Sequence, residues 1–362
     1  MSDECNPDEL DSIDRDILAA IRRRCGFLAR RNTTSPAGAN RSWQAELSRV
    51  ERIARSNRDS STEAAIPAAI SRDAEVEIMR HIASVCLQVN QPLSAAFLGP
   101  VDSYSHLACL EYFGAGIAAV PVTSIAAVFD AVGRHEADHG IVPIENSTDG
   151  RVVDTLSRLL HGDSQIVGEV LVPIHHALLS GSERDQIREI HSKPQALSQC
   201  RRYLSDHFPS ARLVETTSTA AAAKLASEQP GIAAVASLEA GRRHGLAVIQ
   251  ASIEDNPNNV TRFAVLGNQS PPASDDDKTT LMFQVDHRPG ALADVMGIFK
   301  SCDLNLTWIE SFPQPDSDNE YFFVVEFRGH RDDVHVRRAT STLQTQTKLM
   351  QVLGSYPRGR RP

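Results

Sequence analysis

The spacing of apolar positions changes along the chain, and each change marks a different kind of structure. Between residues 8 and 31, Leu10, Ile13, Ile17, Leu18, Ile21 and Leu28 recur at helical spacing with charges between them, which predicts an amphipathic helix. Asn32–Asn40, rich in Thr, Ser, Pro, Ala and Gly, breaks it. A second helical stretch spans about Trp43 to Arg55, and polar Arg55–Ala65 reads as a loop. A third helix covers roughly Asp73–Val89, with Val76, Met79, Ile82, Ala83 and Cys86 on one face. Helices without strands predict a small bundle over residues 5–91.

From Pro92 the pattern alternates. Ala95–Leu98, Val120–Val122 and His139–Val142 are β-type runs, each followed by a helical one; Glu189–His191 and Leu213–Glu215 precede the helices Gln195–Phe208 and Thr219–Gln229. Alternation of this kind predicts α/β architecture with crossover helices, and residues 93–268 are long enough for two lobes. Asn268–Asp277, with proline, serine and an acidic run, reads as a linker. Residues 279–355 then read β-α-β-β-α-β, with strands at Thr279–Val285, Asn305–Phe312 and Tyr321–Phe327 and a helix at Gly290–Lys300. That order is ferredoxin-like.

Composition narrows the class. At 362 residues the chain exceeds one ordinary core, and 41% hydrophobic with 23% charged residues fits a globular protein. The formal net charge of −9 gives no reason to expect nucleic acid as a partner. No apolar run has membrane-spanning length, and the acidic start MSDECNPDEL lacks a signal-peptide core; no membrane partner and a cytoplasmic location are expected. The six cysteines scatter without a C-x-x-C pair, which argues against a zinc site or a disulfide framework. No metal or cofactor is expected.

Candidate chemistry gathers where strands end. Ser103-Tyr104-Ser105-His106 lies between a Gly-Pro turn and a helix, where hydroxyls and backbone N–H groups suit a carboxylate, or where Ser103 is an ordinary N-cap. Asn146 and Ser147 follow an apolar strand, with Glu145 either a buried acid or a structural partner. Gln195, Ser198 and Gln199 open a helix, and Ser218-Thr219 repeats the strand-end pattern. His175-His176 sits in an apolar β run, so alternation sends the two rings to opposite faces.

The stretch Leu93–Gly267 resembles the prephenate dehydratase domain nearly end to end. The matching blocks are Phe97-Leu98-Gly99-Pro100, Ser103-Tyr104-Ser105-His106, Val142-Pro143-Ile144-Glu145-Asn146-Ser147, Pro194-Gln195-Ala196-Leu197, Gln199-Cys200 and Thr261-Arg262-Phe263. The resemblance implies a two-lobed, periplasmic-binding-protein-like fold. It also implies that the chain expels CO2 and hydroxide from prephenate to give phenylpyruvate, in L-phenylalanine biosynthesis. Such chemistry is positioning plus one proton donor. The resemblance places the essential threonine on Thr261; Arg262 then forks to a carboxylate and Phe263 closes the wall. Ser103, Tyr104, Ser105, Asn146, Ser147, Gln195, Gln199 and Ser218 become substrate binders. Lys193 stands where the family usually has a histidine, keeping a cation but losing acid–base chemistry near neutral pH.

Residues 279–355 resemble an ACT domain through His287-Arg288-Pro289-Gly290-Ala291-Leu292 and Asn305-Leu306-Thr307-Trp308-Ile309-Glu310-Ser311. That implies feedback regulation by L-phenylalanine bound between two chains of a homodimer or homotetramer, with Pro289, Gly290, Ala291, Leu292, Asn305, Glu310 and Ser311 as the ligand set. Phe312 replaces the arginine of the usual Glu-Ser-Arg-Pro pattern. Residues 5–91 resemble the helical chorismate mutase domain, whose activity needs a cage of cations. In this register its early arginine falls on Pro7, its lysine near Ser35, a later arginine on Ala45 and its glutamine on Asn90 or Gln88. Only Arg24, Glu46 and Gln88 remain, which implies a degenerate mutase relative. The rival readings are a bifunctional mutase–dehydratase and a non-catalytic amino-acid sensor.

Overall fold

A computed structural model describes residues 7–34, 43–56, 71–90, 92–162, 164–274, 276–313 and 321–359. The chain falls into two compact units, one formed by the N-terminal helices with Phe113–Ala118, the other by the rest. The expected loops at Asn32–Asn40 and Arg55–Ala65, and the lysine position near Ser35, lie largely outside the described residues.

In the first unit, α1 (Pro7–Thr34), α2 (Trp43–Ser56) and α3 (Arg72–Asn90) pack with α3 against both others. Trp43, Val50, Val76, Ala83 and Cys86 are buried, and Trp43 meets Phe113 with ring centroids 5.9 Å apart. The α1 stripe behaves differently: Leu28 is buried, whereas Leu10, Ile13, Ile17 and Leu18 are each about half exposed.

The second unit begins with β1 (Ser94–Leu98), α4 (Tyr104–Phe113), β2 (Ala118–Val122), α5 (Ile125–Gly133), β3 (His139–Asn146), β4 (Gly150–Arg151), α6 (Val153–His161) and β5 (Gln165–Pro173). A second lobe follows: β6 (Ala177–Ser180), β7 (Glu189–Ser192), α7 (Pro194–Gln199), α8 (Arg201–His207), β8 (Arg212–Glu215), α9 (Thr219–Glu228), β9 (Ile232–Ala236), α10 (Leu238–His244) and β10 (Ala247–Gln250). Then β11 (Val260–Gly267) returns to the first sheet. The chain therefore passes between lobes twice, at Ile174–His176 and at Ala251–Asn259, as a two-lobed fold requires. The second lobe is a five-stranded sheet in the order β10-β6-β9-β7-β8.

The C-terminal domain has the expected order β12 (Asp277–Gln284), α11 (Ala291–Ser301), β13 (Leu306–Pro313), β14 (Tyr321–Arg328), α12 (Val334–Gln346) and β15 (Leu349–Pro357). Its strands line up β13-β14-β12-β15, and β15 pairs in parallel with β5, so the sheet runs on into the first lobe. Gly354 makes the junction possible: a Cβ there would stand 2.2 Å from the Ile166 carbonyl oxygen. All eight residues of β12 are buried. Leu281 and Phe283 face a core with Val295, Phe299 and Leu343, while Met282 joins Val142, Leu156, Leu159, Phe312 and Tyr356 in a core shared with the first lobe. The sequence suggested a tethered domain; two-faced burial of β12 instead builds it into the lobe.

Candidate active site

A cleft of about 980 Å³ opens between the two lobes. From the first lobe it is lined by Ser103, Tyr104, Ser105, Pro143, Asn146, Thr261 and Phe263, from the second by Lys193, Gln195, Gln199 and Ser218, with Ile174 and His176 at the crossing. Strand ends and the first turns of α4 and α9 thus meet there, as open α/β folds arrange.

The register of β3 against β11 builds its centre. Asn146 pairs with Thr261, Glu145 with Arg262 and Pro143 with Phe263, so the register slips by one residue at Ile144. This bulge turns Asn146 to the same side as Pro143, and turns Glu145 away. The Asn146 side chain is fixed at both ends. Its Oδ1 accepts from the N–H groups of Thr148 (2.9 Å) and Asp149 (3.0 Å), and its Nδ2 donates to Thr261 Oγ1 at 2.7 Å. Because Oγ1 accepts that bond, its own proton is left to donate into the cleft.

A second network crosses the lobes. Gln195 and Gln199 of α7 both donate to Asp149, the latter at 2.8 Å. Gln199 Oε1 therefore accepts from His176 Nε2 at 3.0 Å, which makes Nε2 the protonated nitrogen of a neutral ring. Burial lowers the His176 pKa below 6.5. The Tyr104 hydroxyl donates to the His175 carbonyl at 2.6 Å and lies 3.2 Å from His176 Nδ1; burial pushes its pKa up. Glu254 accepts from the His176 N–H (2.9 Å) and meets His175 Nδ1 (2.8 Å). Burial raises the Glu254 pKa, but these bonds outweigh it and leave a net lowering.

Several expectations shift with the geometry. Arg262 does not reach the cleft. On a strand, residues on either side of it face the other way, so Thr261 and Phe263 take the cleft and Arg262 the reverse face. There Glu326 accepts from its Nη1 with both oxygens at 2.7 Å, and Trp308 stacks over it at 5.1 Å. Glu145 lies on the same side, 3.2 Å from Arg262 Nε, and so is a structural partner. Lys193 and Arg151 are the Lys and Arg side chains of the cleft lining, and Arg151 pairs with Glu310. Ser147 is absent from the lining; its hydroxyl ties down the 258–260 segment, accepting from the Val260 N–H at 3.0 Å. Ser103 and Ser218 act as N-caps, accepting from His106 N–H (3.3 Å) and Ala221 N–H (3.0 Å). His106 is packed against Phe97, with ring centroids 5.0 Å apart. Neither Asp149 nor a place for His176 in the cleft is among the expectations drawn from the sequence, although strand alternation does separate His176 from His175.

Of the regulatory set, Gly290 caps α11 at φ +81°, with Pro289, Ala291 and Leu292 beside it. They follow the Gln284 end of β12, level with Phe322 and Phe312. Asn305 precedes Leu306, which is level with Phe327 and Thr279 at the opposite end. Roughly 20 Å of strand separates these ends, so within one chain Asn305 does not join the Pro289–Leu292 group. Glu310 faces the first lobe, with Arg151 also stacked over Phe312, and Ser311 faces outward. In the helical unit, Arg24 and Glu46 do meet, with Arg49 on the same carboxylate at 2.7 Å. Gln88 Oε1 accepts instead from the Leu93 N–H at 3.2 Å. Among the described residues, no group of three or more His, Cys, Asp and Glu side chains is arranged to hold a metal.

An interlobe cleft with hydroxyl and amide donors, two cations and a neutral histidine defines a class: an α/β protein that holds a small anion and offers it a proton. Residues 95–271 match the family model for prephenate dehydratase. A bifunctional chorismate mutase/prephenate dehydratase of Aquifex aeolicus is 35% identical over 97% of the chain and 96% of its own length. The chain belongs to the prephenate dehydratase family. The Arthrobacter aurescens prephenate dehydratase solved with L-Phe is 34% identical, with TM-score 0.68 over 74% of this chain and 90% of that one. GqqA, described as a novel type of quorum quenching acylase, is 31% identical, with TM-score 0.67 over 73% and 98%. No described helix is long and apolar enough to cross a membrane.

Proposed function

We propose that the cleft converts prephenate to phenylpyruvate, carbon dioxide and water, on the route to L-phenylalanine. The ring carboxylate breaks its C–C bond, the electron pair enters the ring, and the C–O bond at the far carbon releases hydroxide. One proton, ultimately from solvent, completes the water. The observation that carries this reading is the Asn146–Thr261 bond: it points the one uncommitted Thr261 proton at the cleft, where a departing oxygen needs a donor. Lys193 opposes a substrate carboxylate, Phe263 and Pro143 flank the ring, and the Asp149 bridge to Gln195 and Gln199 holds the lobes together around it. The chain is tested by supplying prephenate and following phenylpyruvate; lack of turnover by a folded chain would overturn the reading.

The C-terminal domain is read as an L-phenylalanine sensor. Gly290 at the start of α11 suits an amino-acid carboxylate, and a second chain would bring its Asn305 end to the same ligand. The half-exposed stripe Leu10, Ile13, Ile17 and Leu18 gives a second surface for a homo-oligomer. Sedimentation of the full chain with and without L-phenylalanine tests both.

A bifunctional reading of the helical unit draws on one observation: Arg24 Nε and Nη1 are buried without a hydrogen-bond partner. Against it, Glu46 already neutralises that guanidinium and Gln88 is spent on a backbone N–H. We read the unit as a mutase relative that has lost its chemistry; chorismate consumption by the purified chain would reverse that.

A further inference from the structure

We propose that Glu326, in the C-terminal domain, is a positioning residue for the dehydratase reaction: through Arg262 it holds the segment of β11 that presents Thr261 and Phe263 to the cleft. The inference rests on the dehydratase reading above.

β11 lies between β3 and β5, and its ladder with β3 is interrupted between Arg262 and Phe263. A bulge loosens local pairing and lets a strand twist, and this one falls beside the residue whose hydroxyl must be aimed. The β5 ladder runs unbroken through Thr261, Arg262 and Phe263 and holds the backbone along one edge, so what is left to fix is the twist of the segment on its bulged β3 edge. Arg262 is the side chain at that point, and its partners lie across the junction with the C-terminal domain. Both oxygens of Glu326 stand 2.7 Å from Nη1, whereas Glu169, from the first lobe, stands at 3.4 Å. Glu145 is 3.2 Å from Nε but without hydrogen-bond geometry, and Nη2 makes no hydrogen bond. Glu326 is thus the acceptor that sets the guanidinium's place.

Glu326 is itself held from several sides. Lys278 Nζ lies 3.1 Å from its Oε2, Thr280 Oγ1 donates to Oε1 at 3.3 Å, and the Tyr356 hydroxyl lies at 3.5 Å. Its carboxylate is only 2% exposed. An arginine buried this way keeps its charge and so follows its carboxylate. A shift of β14 is therefore passed through one side chain to the backbone on either side of Arg262, and from there to the Thr261 hydroxyl.

The test is Glu326→Gln in the full chain, with Leu343→Ala as the comparison. Leu343, on α12, is buried in the core with Val325 and Phe327, which alternate with Glu326 along β14 and face the other way, so its truncation lowers stability without touching the ion cluster. At a temperature where all proteins are folded, Glu326→Gln is expected to lower kcat by about 10- to 100-fold, the scale of a small misplacement of a reacting group. KM for prephenate should stay within about twofold, because the binding side chains are untouched. Leu343→Ala should keep the parental kcat despite a lower melting temperature. In the pair Arg262→Met with Glu326→Gln, the losses should not multiply, since both act through one contact. A parental kcat in Glu326→Gln, or an equal kcat loss in Leu343→Ala, overturns the proposal. If Glu326→Gln does not fold, Glu326→Asp keeps the charge and withdraws the carboxylate by one methylene; it should lower kcat and spare KM, and unchanged kcat overturns the proposal. A parent chain inert toward prephenate would instead sink the dehydratase reading itself.

Discussion

Thr261 and Arg262 are neighbours in sequence and stand on opposite sides of one strand, in opposite electrostatic worlds. On the cleft side, Thr261 is bonded to the uncharged amide of Asn146, in a cleft that His176, Lys193 and Arg151 also line. On the reverse side, Arg262 and Lys278 share Glu326 and Glu169 in a buried cluster. The Thr261-Arg262-Phe263 segment thus divides its labour between two faces of one strand. The cleft side leaves the Thr261 proton free to donate, and the reverse side ties the Arg262 guanidinium to Glu326. Buried on the reverse side, the Arg262 guanidinium takes its counter-charge from the protein, whatever the cleft contains.

The comparison breaks most sharply at the hydroxyl. Thr261→Val keeps shape and removes the donor; phenylpyruvate formation should fall by about 10²- to 10⁴-fold, the usual contribution of a positioned proton donor, with the fold intact by circular dichroism. Asn146→Asp sharpens the orientation argument. A carboxylate at that place accepts from Thr261 and turns its proton away from the cleft, so kcat should drop by about 10²-fold or less, on the scale of losing one aimed donor, and Thr261→Val should add little on top. Lys193→Met tests the cation: KM should rise by about tenfold, as for one charge-assisted hydrogen bond, while kcat changes little.

The smallest effect concerns pH. His106, His139 and His176 all have pKa values lowered from 6.5, burial being the first cause in each. A depressed histidine contributes stability that is fully present above the unfolded value and lost as pH falls through the folded one. The melting temperature should therefore hold from pH 8 to about 6.5, where an unperturbed histidine titrates, and decline below it. His176→Gln should make that decline shallower; an unchanged profile would remove His176 from the explanation.

Much of this was legible in the sequence, and the rest was hidden for identifiable reasons. Alternating β and α runs gave the lobes, and the strand-end blocks around Ser103, Asn146, Gln195 and Ser218 fall around one cleft. Period-2 alternation separates His175 from His176, and the same rule applied to Thr261-Arg262-Phe263 would have sent Arg262 to the reverse face. The bulge at Ile144 has no clear sequence signal, and it decides which of Glu145 and Asn146 faces the cleft. Asp149 acts through partners 46 and 50 residues away, beyond any local pattern. The integration of the C-terminal domain did leave a trace: Leu281, Met282 and Phe283 are consecutive apolar residues, the signature of a strand covered on both faces.

The most direct measurement follows phenylpyruvate formed from prephenate by the parent chain and by Thr261→Val side by side, at equal folded concentration. The account predicts turnover by the parent, a loss of about 10²-fold or more in the variant, and similar KM values. Equal turnover by both proteins would contradict it, because the proton that Asn146 frees on Thr261 would then have no part in the reaction.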